Sequence, residues 1–212
     1  MINNVNNATS FKASYVDKIN IQKLNSRKKY VPYQANLVEL NRSDLKALEE
    51  IRTKWKNSWL CGRFISWAEK MHSSSDKAFA LTTQKENFEN LQPNTVLGLM
   101  NIDLHRRKSE LNYIITKPVN PDYNKVGSSL INYAKTLTDK ITLTAASKNL
   151  VDKFYKPLGF IHEYKNNNDG NAYCELIWLK NATLLDKLKI NLQSKVRLFL
   201  DSLINKIFDN NF

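Results

Sequence analysis

The chain has 212 residues, 42% of them hydrophobic and 25% charged, which suits one globular domain with appended segments. Its formal net charge of +12 attracts polyanions, without choosing among nucleic acid, anionic lipid, acidic protein and phosphorylated cofactors. Two Cys and three His, all scattered along the chain, exclude a disulfide framework and a clustered metal site.

The N-terminus lacks the apolar core of a secretion signal. No apolar run approaches the roughly 18 residues that a membrane-spanning helix needs. We therefore expect a cytoplasmic protein, unless it is exported by a route that leaves no such signal, and we expect no metal cofactor.

Residues 1–33 form the first segment, which is polar, rich in Asn and Lys, and has six basic side chains against the single acid Asp17. No clear period of 2 or 3.6 residues runs through it. We predict a basic, mostly disordered N-terminal arm, which serves either as a docking tail or as a dispensable terminus.

Residues 34–180 are predicted to form one domain in which strands and helices alternate. A first strand (36–40) precedes two helices that place Trp55, Trp59 and Trp67 in the core. The elements predicted after them are strands at 78–83, 95–104 and 110–116, a helix at 127–139, a strand at 141–145, a short helix at 149–156, and a hairpin of 160–164 with 172–179.

Residues 181–212 are predicted to form a long amphipathic helix or helix pair. Apolar side chains recur every three or four positions: Leu185, Leu188, Leu192, Val196, Phe199, Leu203 and Ile207. We expect this face to pack onto the domain or onto a second copy, giving a homodimer. A membrane-surface role is not favoured, because five basic residues against three acidic ones are modest for an anionic bilayer.

The stretch from Tyr113 to Leu130 runs from an apolar strand through a loop into a helix that begins near Gly127. The first amides of a helix lack internal partners and lie at the positive end of its dipole. Small residues such as Gly127, Ser128 and Ser129 let a phosphate approach those amides. We hypothesise that this loop holds the pyrophosphate of a nucleotide-containing cofactor, the alternative being an ordinary strand–turn–helix connection.

Three motifs, together with the order of elements, resemble the GNAT N-acyltransferase superfamily between about Asn36 and Lys180. Val119-Asn120-Pro121 is followed by Asn124-x-x-Gly127-x-Ser129, similar to the family's Gln/Arg-x-x-Gly-x-Gly/Ala phosphate loop. The run from Asn149 through Phe154-Tyr155 to Gly159-Phe160 is similar to a second family signature, and Gly98 lies where the family has a glycine in its third strand. Asn124 and Ser129 depart from the phosphate-loop pattern, which puts the strength of coenzyme binding in question.

The resemblance implies the GNAT fold, of mixed α/β (α+β) class. Its central, twisted, mixed sheet is mostly antiparallel, has six to seven strands and is flanked by about four helices, with the C-terminal helix as an extension. It also implies acetyl-CoA as cosubstrate, bound near a β-bulge that leaves an amide free to polarise the thioester. The implied cofactor-binding residues are Thr116, Val119, Asn124, Lys125, Val126, Gly127, Ser128, Ser129, Asn149 and Tyr155.

The resemblance further assigns Tyr155 as the acid that protonates the departing thiolate, since a phenol and a thiol have roughly similar basicity. Glu110 is the first choice for the base that deprotonates the acceptor amine, with Asp103, His105 and Glu39 as alternatives.

The predicted function is N-acetyl transfer from acetyl-CoA to a primary amine of a small molecule, peptide or protein. The alternative is a catalytically weak or inactive GNAT-like module that docks on nucleic acid, a membrane or a protein partner through its basic and amphipathic extensions.

Overall fold

The computed structural model describes residues 13–41, 44–55, 58–69, 75–105, 109–118, 120–166 and 173–209. The chain divides into two compact units, Met1–Asn101 with Tyr113–Leu130, and Ile102–Asn112 with Ile131–Phe212. Its strands are β1 (Ser14–Leu24), β2 (Tyr30–Leu40), β3 (Asp76–Thr82), β4 (Val96–Asp103), β5 (Ser109–Thr116), β6 (Tyr123–Asn124), β7 (Lys140–Ala145), β8 (Ile161–Asn166) and β9 (Tyr173–Leu179). Its α-helices are α1 (Leu45–Trp55), α2 (Ser58–Glu69), α3 (Val126–Leu137), α4 (Lys148–Leu150) and α5 (Leu184–Asp209).

The predicted fold class, a mixed α/β architecture with a mostly antiparallel sheet, is confirmed. The prediction of six to seven strands was too low, since the described residues contain nine strands. The two that were missed are β1 and β6, which lie outside every segment that sequence patterns had marked as a strand.

In the first unit, the strands lie in the order β6-β1-β2-β3-β4-β5. The hairpin of β1 and β2 is antiparallel, with Ile19 opposite Ala35, and β2 pairs with β3 in the same sense, with Asn36 opposite Thr82. Strand β6 adds a short pairing to the free edge of β1, where Asn124 lies opposite Gln22.

The prediction of a disordered arm is wrong for residues 13–33, which form β1 and the start of β2; residues 1–12 lie outside the described ranges. The strand signal is the alternation Ile19-Asn20-Ile21-Gln22, whose Ile21 is 3% exposed. The amide oxygen of Asn25 accepts the N–H groups of Arg27 and Lys29, which closes the hairpin turn. The lysines and asparagines around this alternation give the segment the composition of a disordered chain, although its residues alternate with the period of a strand.

The core of the first unit is formed by helices α1 and α2 packing against buried strand side chains. Ile51 and Phe64 are fully buried, and Trp55 is 5% exposed while Trp67 packs against the cluster. Trp59 corrects a sequence prediction, because its side chain is 67% exposed rather than in the core.

In the second unit, the strands lie in the order β5-β7-β9-β8. Strand β5 pairs with β7 in parallel, with Glu110 opposite Thr142, whereas β9 is antiparallel to both β7 and β8. The predicted β8–β9 hairpin is therefore confirmed, although its turn lies outside the described residues.

Helix α5 packs against β8 within the second unit, and among its described side chains Ile190 and Ser194 are buried, at 9% and 6% exposure. Thr183 caps it, because the amide of Asp186 donates to the Thr183 hydroxyl and the Asp186 carboxylate accepts the amide of Thr183. The hydroxyl and the amide of Thr183 both donate to the Asp186 carboxylate and lower its pKa.

We call Leu185, Leu188, Leu192, Val196, Phe199 and Leu203 the α5 stripe. Its side chains are between 44% and 76% exposed. The expectation that this face packs onto the domain is therefore wrong. The side chain of Ile207, predicted to share that face, is not described. Within the described ranges, no helix is both long and apolar enough to cross a bilayer.

Candidate active site

Helix α3 begins directly after Lys125, whose φ of 63° lies in the left-handed region. The side-chain oxygen of Asn124 accepts the amide of Lys125 at 2.7 Å, and the carbonyl of Lys125 accepts the amide of Ser129 at 2.9 Å. Of the five backbone amides from Lys125 to Ser129, all at residues that the family resemblance implies for coenzyme binding, these bonds use two. The other three, at Val126, Gly127 and Ser128, belong to the first helical turn, where an α-helix supplies no partner.

The missing side chain of Gly98 brings strand β4 close to this first turn. A Cβ at position 98 would lie 2.8 Å from Cγ1 of Val126, 3.1 Å from Cδ1 of Leu130 and 3.2 Å from the carbonyl oxygen of Ile115. The close backbone approach that the sequence predicted at Gly98 is confirmed. Any larger residue would push against both the helix and the neighbouring strand.

Strand β1 supports the loop that leads into α3, a contribution that the sequence gave no reason to expect. The hydroxyl of Ser129 donates to the carbonyl of Asn20 at 2.7 Å, and the amide of Leu24 donates to the carbonyl of Asp122 at 2.7 Å. Asn124 and Ser129 are the two positions that depart from the family pattern. Ser129 connects the start of α3 to β1, and the side chain of Asn124 binds the neighbouring backbone amide of Lys125.

The strand end that precedes this loop is partly described. Thr116 is exposed at the end of β5, and the amide of Lys117 donates to the carbonyl of Leu97 at 2.9 Å. Val119, a predicted cofactor-binding residue, lies outside the described residues. The Nδ2 atom of Asn120 is buried and has no hydrogen-bond partner within the described part of the chain.

Tyr155 ends a π-helical turn, Val151–Tyr155, that continues α4 in the second unit. Its side chain is 7% exposed, and its ring meets those of Phe154 and Phe160 edge-on at centroid distances of 4.9 and 5.6 Å. Burial raises the pKa of Tyr155 to about 12. The phenol is therefore protonated at neutral pH, but it is a weaker acid than an unburied phenol, so its basicity no longer matches that of the departing thiolate.

Lys135 holds the segment that follows Tyr155, and sequence analysis missed it. Its ammonium donates to the carbonyl of Leu158 at 2.6 Å and lies 5.7 Å from the ring centroid of Phe160 and 5.4 Å from that of Trp178. Partial burial lowers the pKa of this lysine. Gly159, with φ of 82°, lets the chain turn back at this point, so that Lys135 and Gly159 together fix the end of the Tyr155 helix.

The other proposed catalytic groups differ in their surroundings. Asn149 is exposed on α4, and Glu110 is exposed on β5 opposite Thr142. Among the alternative bases, Glu39 binds the ammonium of Lys77 at 2.6 Å, and Asp103 lies 2.9 Å from Nε2 of His105. Glu110 takes part in neither of these two ion pairs, which involve the alternative bases Glu39 and Asp103. No group of His, Cys, Asp or Glu side chains suited to a metal ion occurs in the ranges that the structure covers.

The sequence matches no protein-family model and no curated protein. Among solved structures, an acetyltransferase from Thermus thermophilus aligns over 68% of this chain and 96% of its own, with a TM-score of 0.50 and 10% identity. A histone acetyltransferase HPA2 and related acetyltransferase from Corynebacterium glutamicum aligns over 72% of this chain and 99% of its own, with a TM-score of 0.50 and 14% identity.

The chain has the GNAT fold. At these identities the likeness establishes the fold and no more, so the predicted resemblance is confirmed at that level. Within the GNAT fold, the residues predicted for phosphate binding belong to the first unit, whereas Glu110, Asn149 and Tyr155 belong to the second.

Proposed function

We propose that this protein is an N-acetyltransferase that transfers the acetyl group of acetyl-CoA to a primary amine. The observation that carries the proposal is the first turn of α3, where the amides of Val126, Gly127 and Ser128 lack helical partners. The fold supports it further, because the two solved proteins with a TM-score of 0.50 are acetyltransferases.

The residues at the start of α3 fit a pyrophosphate. The dipole of a helix of 12 residues adds partial positive charge at this end. Gly127 has no side chain, and the hydroxyl of Ser128 is turned back to the carbonyl of Lys125 at 3.0 Å. The amides are therefore not covered by their own side chains. Acetyl-CoA, when bound, would supply an activated thioester.

In this proposal Tyr155 is the general acid. Tyr155 gives its phenolic proton to the sulfur as the carbon–sulfur bond breaks. Asn149, four residues after the end of β7, would hydrogen-bond the pantetheine arm. The Phe154 and Phe160 rings hold the Tyr155 side chain in one orientation, so that little reorganisation precedes proton transfer.

Glu110 is proposed as the base that takes a proton from the acceptor ammonium, directly or through water, so that the free amine can attack the thioester. The carboxylate is exposed and accessible to solvent. Glu39 is a weaker candidate, since its carboxylate is already engaged by Lys77.

An open cleft on α1 and α2 is lined by Glu49, Glu69, Arg52, Arg63 and Trp59. Its charges are balanced, because Arg52 lies 3.4 Å from Glu49 and the guanidinium of Arg63 lies 5.8 Å from the ring centroid of Trp59. The cleft therefore does not select a cationic group by its charge. We propose that the exposed Trp59 side chain at its edge contacts the acceptor.

Calorimetry with acetyl-CoA and steady-state kinetics with a panel of amines test this proposal. We expect binding of acetyl-CoA, and a fall in kcat of about 100-fold for Tyr155→Phe, the usual size of a general-acid contribution. Tyr15→Phe is the matched control, because that phenol is 48% exposed on β1 and its removal should leave kcat unchanged. Failure to bind acetyl-CoA would refute the proposal, and an unchanged kcat in Tyr155→Phe would remove Tyr155 from the mechanism.

A further inference from the structure

The α5 stripe is a large apolar surface that the described part of the chain leaves open. Leu184 and Leu200, at 74% and 51% exposure, widen it on either side. Eight large apolar side chains on one helix exceed the scattered exposed residues of an ordinary surface, so a partner surface is implied.

The charges on α5 are arranged around this stripe. If successive residues are placed about 100° apart, Lys189 and Lys195 lie at its two edges, each about 60° from its centre line. Asp186, the only acidic residue among the α5 side chains that the structure describes, lies on another side and is bonded to Thr183 in the helix cap. Among the described α5 side chains, the charged ones at the two edges of the stripe are therefore both lysines. It is their position, and not the modest total charge of the helix, that suits an anionic surface.

We propose that the α5 stripe docks on the surface of an anionic lipid bilayer, with the helix axis parallel to the membrane. Long lysine side chains at the edges of an apolar face can reach lipid phosphates while the apolar side chains enter the acyl region. Helix α5 has 26 residues, a length common for helices that lie in the interface. The net charge of +12 on the whole chain adds attraction to anionic headgroups.

A second copy of the chain fits this surface less well. Successive side chains of the α5 stripe are 3, 4, 4, 3 and 4 residues apart, and the two consecutive steps of four depart from the strict alternation of three and four in a heptad repeat. The stripe therefore lacks the regular heptad seam of a two-helix coiled coil.

Flotation of the full chain with vesicles tests the proposal. We expect binding to phosphatidylcholine vesicles that contain about 30% phosphatidylserine, and at least tenfold weaker binding to phosphatidylcholine alone, because the lysines need anionic partners. Binding should also weaken as salt rises. Equal binding to both vesicles, or to neither, would overturn the proposal.

Two pairs of charge-matched variants distinguish docking of the α5 stripe from general attraction. Lys189→Gln with Lys195→Gln removes the two edge cations and should weaken vesicle binding about 25-fold, since each basic residue near the surface contributes about a fivefold factor. Lys187→Gln with Arg197→Gln removes the same charge from the opposite side and should have a clearly smaller effect. Equal losses in both pairs would refute a specific role for the stripe.

A third variant tests the apolar side chains. Leu192→Glu with Phe199→Glu should abolish vesicle binding, and both side chains are 63% or more exposed, so the fold should persist. Light scattering without vesicles gives the remaining control. We expect a monomer; a dimer that this variant dissociates would show that the stripe covers a second copy instead. Each variant should still bind acetyl-CoA as the parent does, which keeps this test separate from that of the proposed activity.

Discussion

Gly98 offers the sharpest test of how the fold supports the proposed phosphate site. In Gly98→Ala, the new methyl carbon would lie 2.8 Å from Val126 and 3.2 Å from a backbone carbonyl. Since Val126 is buried at 6% exposure, it cannot swing aside, and the first turn of α3 must shift. Overpacking of this kind costs about 1–3 kcal/mol, partly offset by about 0.4–1 kcal/mol from the loss of glycine freedom in the unfolded chain.

We therefore expect a net destabilisation of about 1–2 kcal/mol, which for a chain of this length lowers Tm by about 2–8 °C. The affinity for acetyl-CoA should fall in the same variant, because the shifted turn contains the amides of Val126, Gly127 and Ser128. Thermal unfolding followed by circular dichroism measures the first effect, and calorimetry the second.

Gly62→Ala is the matched control, because a Cβ at that position of α2 meets only the side chain of Arg52, at 3.8 Å. It should raise stability by up to about 1 kcal/mol, the usual gain from replacing glycine in a helix, and leave acetyl-CoA affinity unchanged. Adding Val126→Ala to Gly98→Ala should recover part of the loss, with a coupling of at least about 0.5 kcal/mol. No loss in Gly98→Ala, or no coupling, would refute the argument.

Three further predictions concern single contacts. Burial raises the pKa of Tyr155 to about 12, so the stability that its protonated phenol adds to the folded state is complete below pH 10 and lost as pH rises through 12. Across that range the unfolding free energy of the parent should fall by about 3 kcal/mol relative to that of Tyr155→Phe, as measured by urea unfolding. Ser129→Ala removes the bond to Asn20 and should cost about 1 kcal/mol in unfolding free energy while leaving the helix amides intact; an unchanged urea midpoint would contradict this. Lys135→Met should cost about 1–2 kcal/mol and lower kcat, since it frees the end of the Tyr155 helix, and a normal kcat would show that Lys135 does not position Tyr155.

The sequence predicted the elements whose signals are local. The apolar strands and the helix start at Val126 follow from period and small-residue spacing, and the turn at Gly159 follows from its flanking Pro157. The strand glycine at position 98 likewise indicated a close backbone approach.

What the sequence could not supply depends on contacts between distant segments. Lys135 is one lysine among many until the chain places it against the carbonyl of Leu158. The sequence also did not determine which side of α5 is exposed, because its periodic leucines could contact either the domain or a separate partner. The described side chains that are buried on α5 are Ile190 and Ser194. This pair is less apolar than the leucines, so hydrophobicity alone does not predict that it faces the domain.

The two departures from the family's phosphate-loop pattern have a physical explanation in β1. A glycine or alanine at position 129 has no hydroxyl to donate, whereas Ser129 donates to the carbonyl of Asn20 on β1. Asn124 pairs with Gln22 on the same strand and caps the amide of Lys125 with its side chain. Both residues leave the amides of Val126, Gly127 and Ser128 unused. Asn124 and Ser129 therefore attach the start of α3 to β1 and leave the proposed phosphate-binding amides open. These two departures from the family pattern do not indicate that the coenzyme site has been lost.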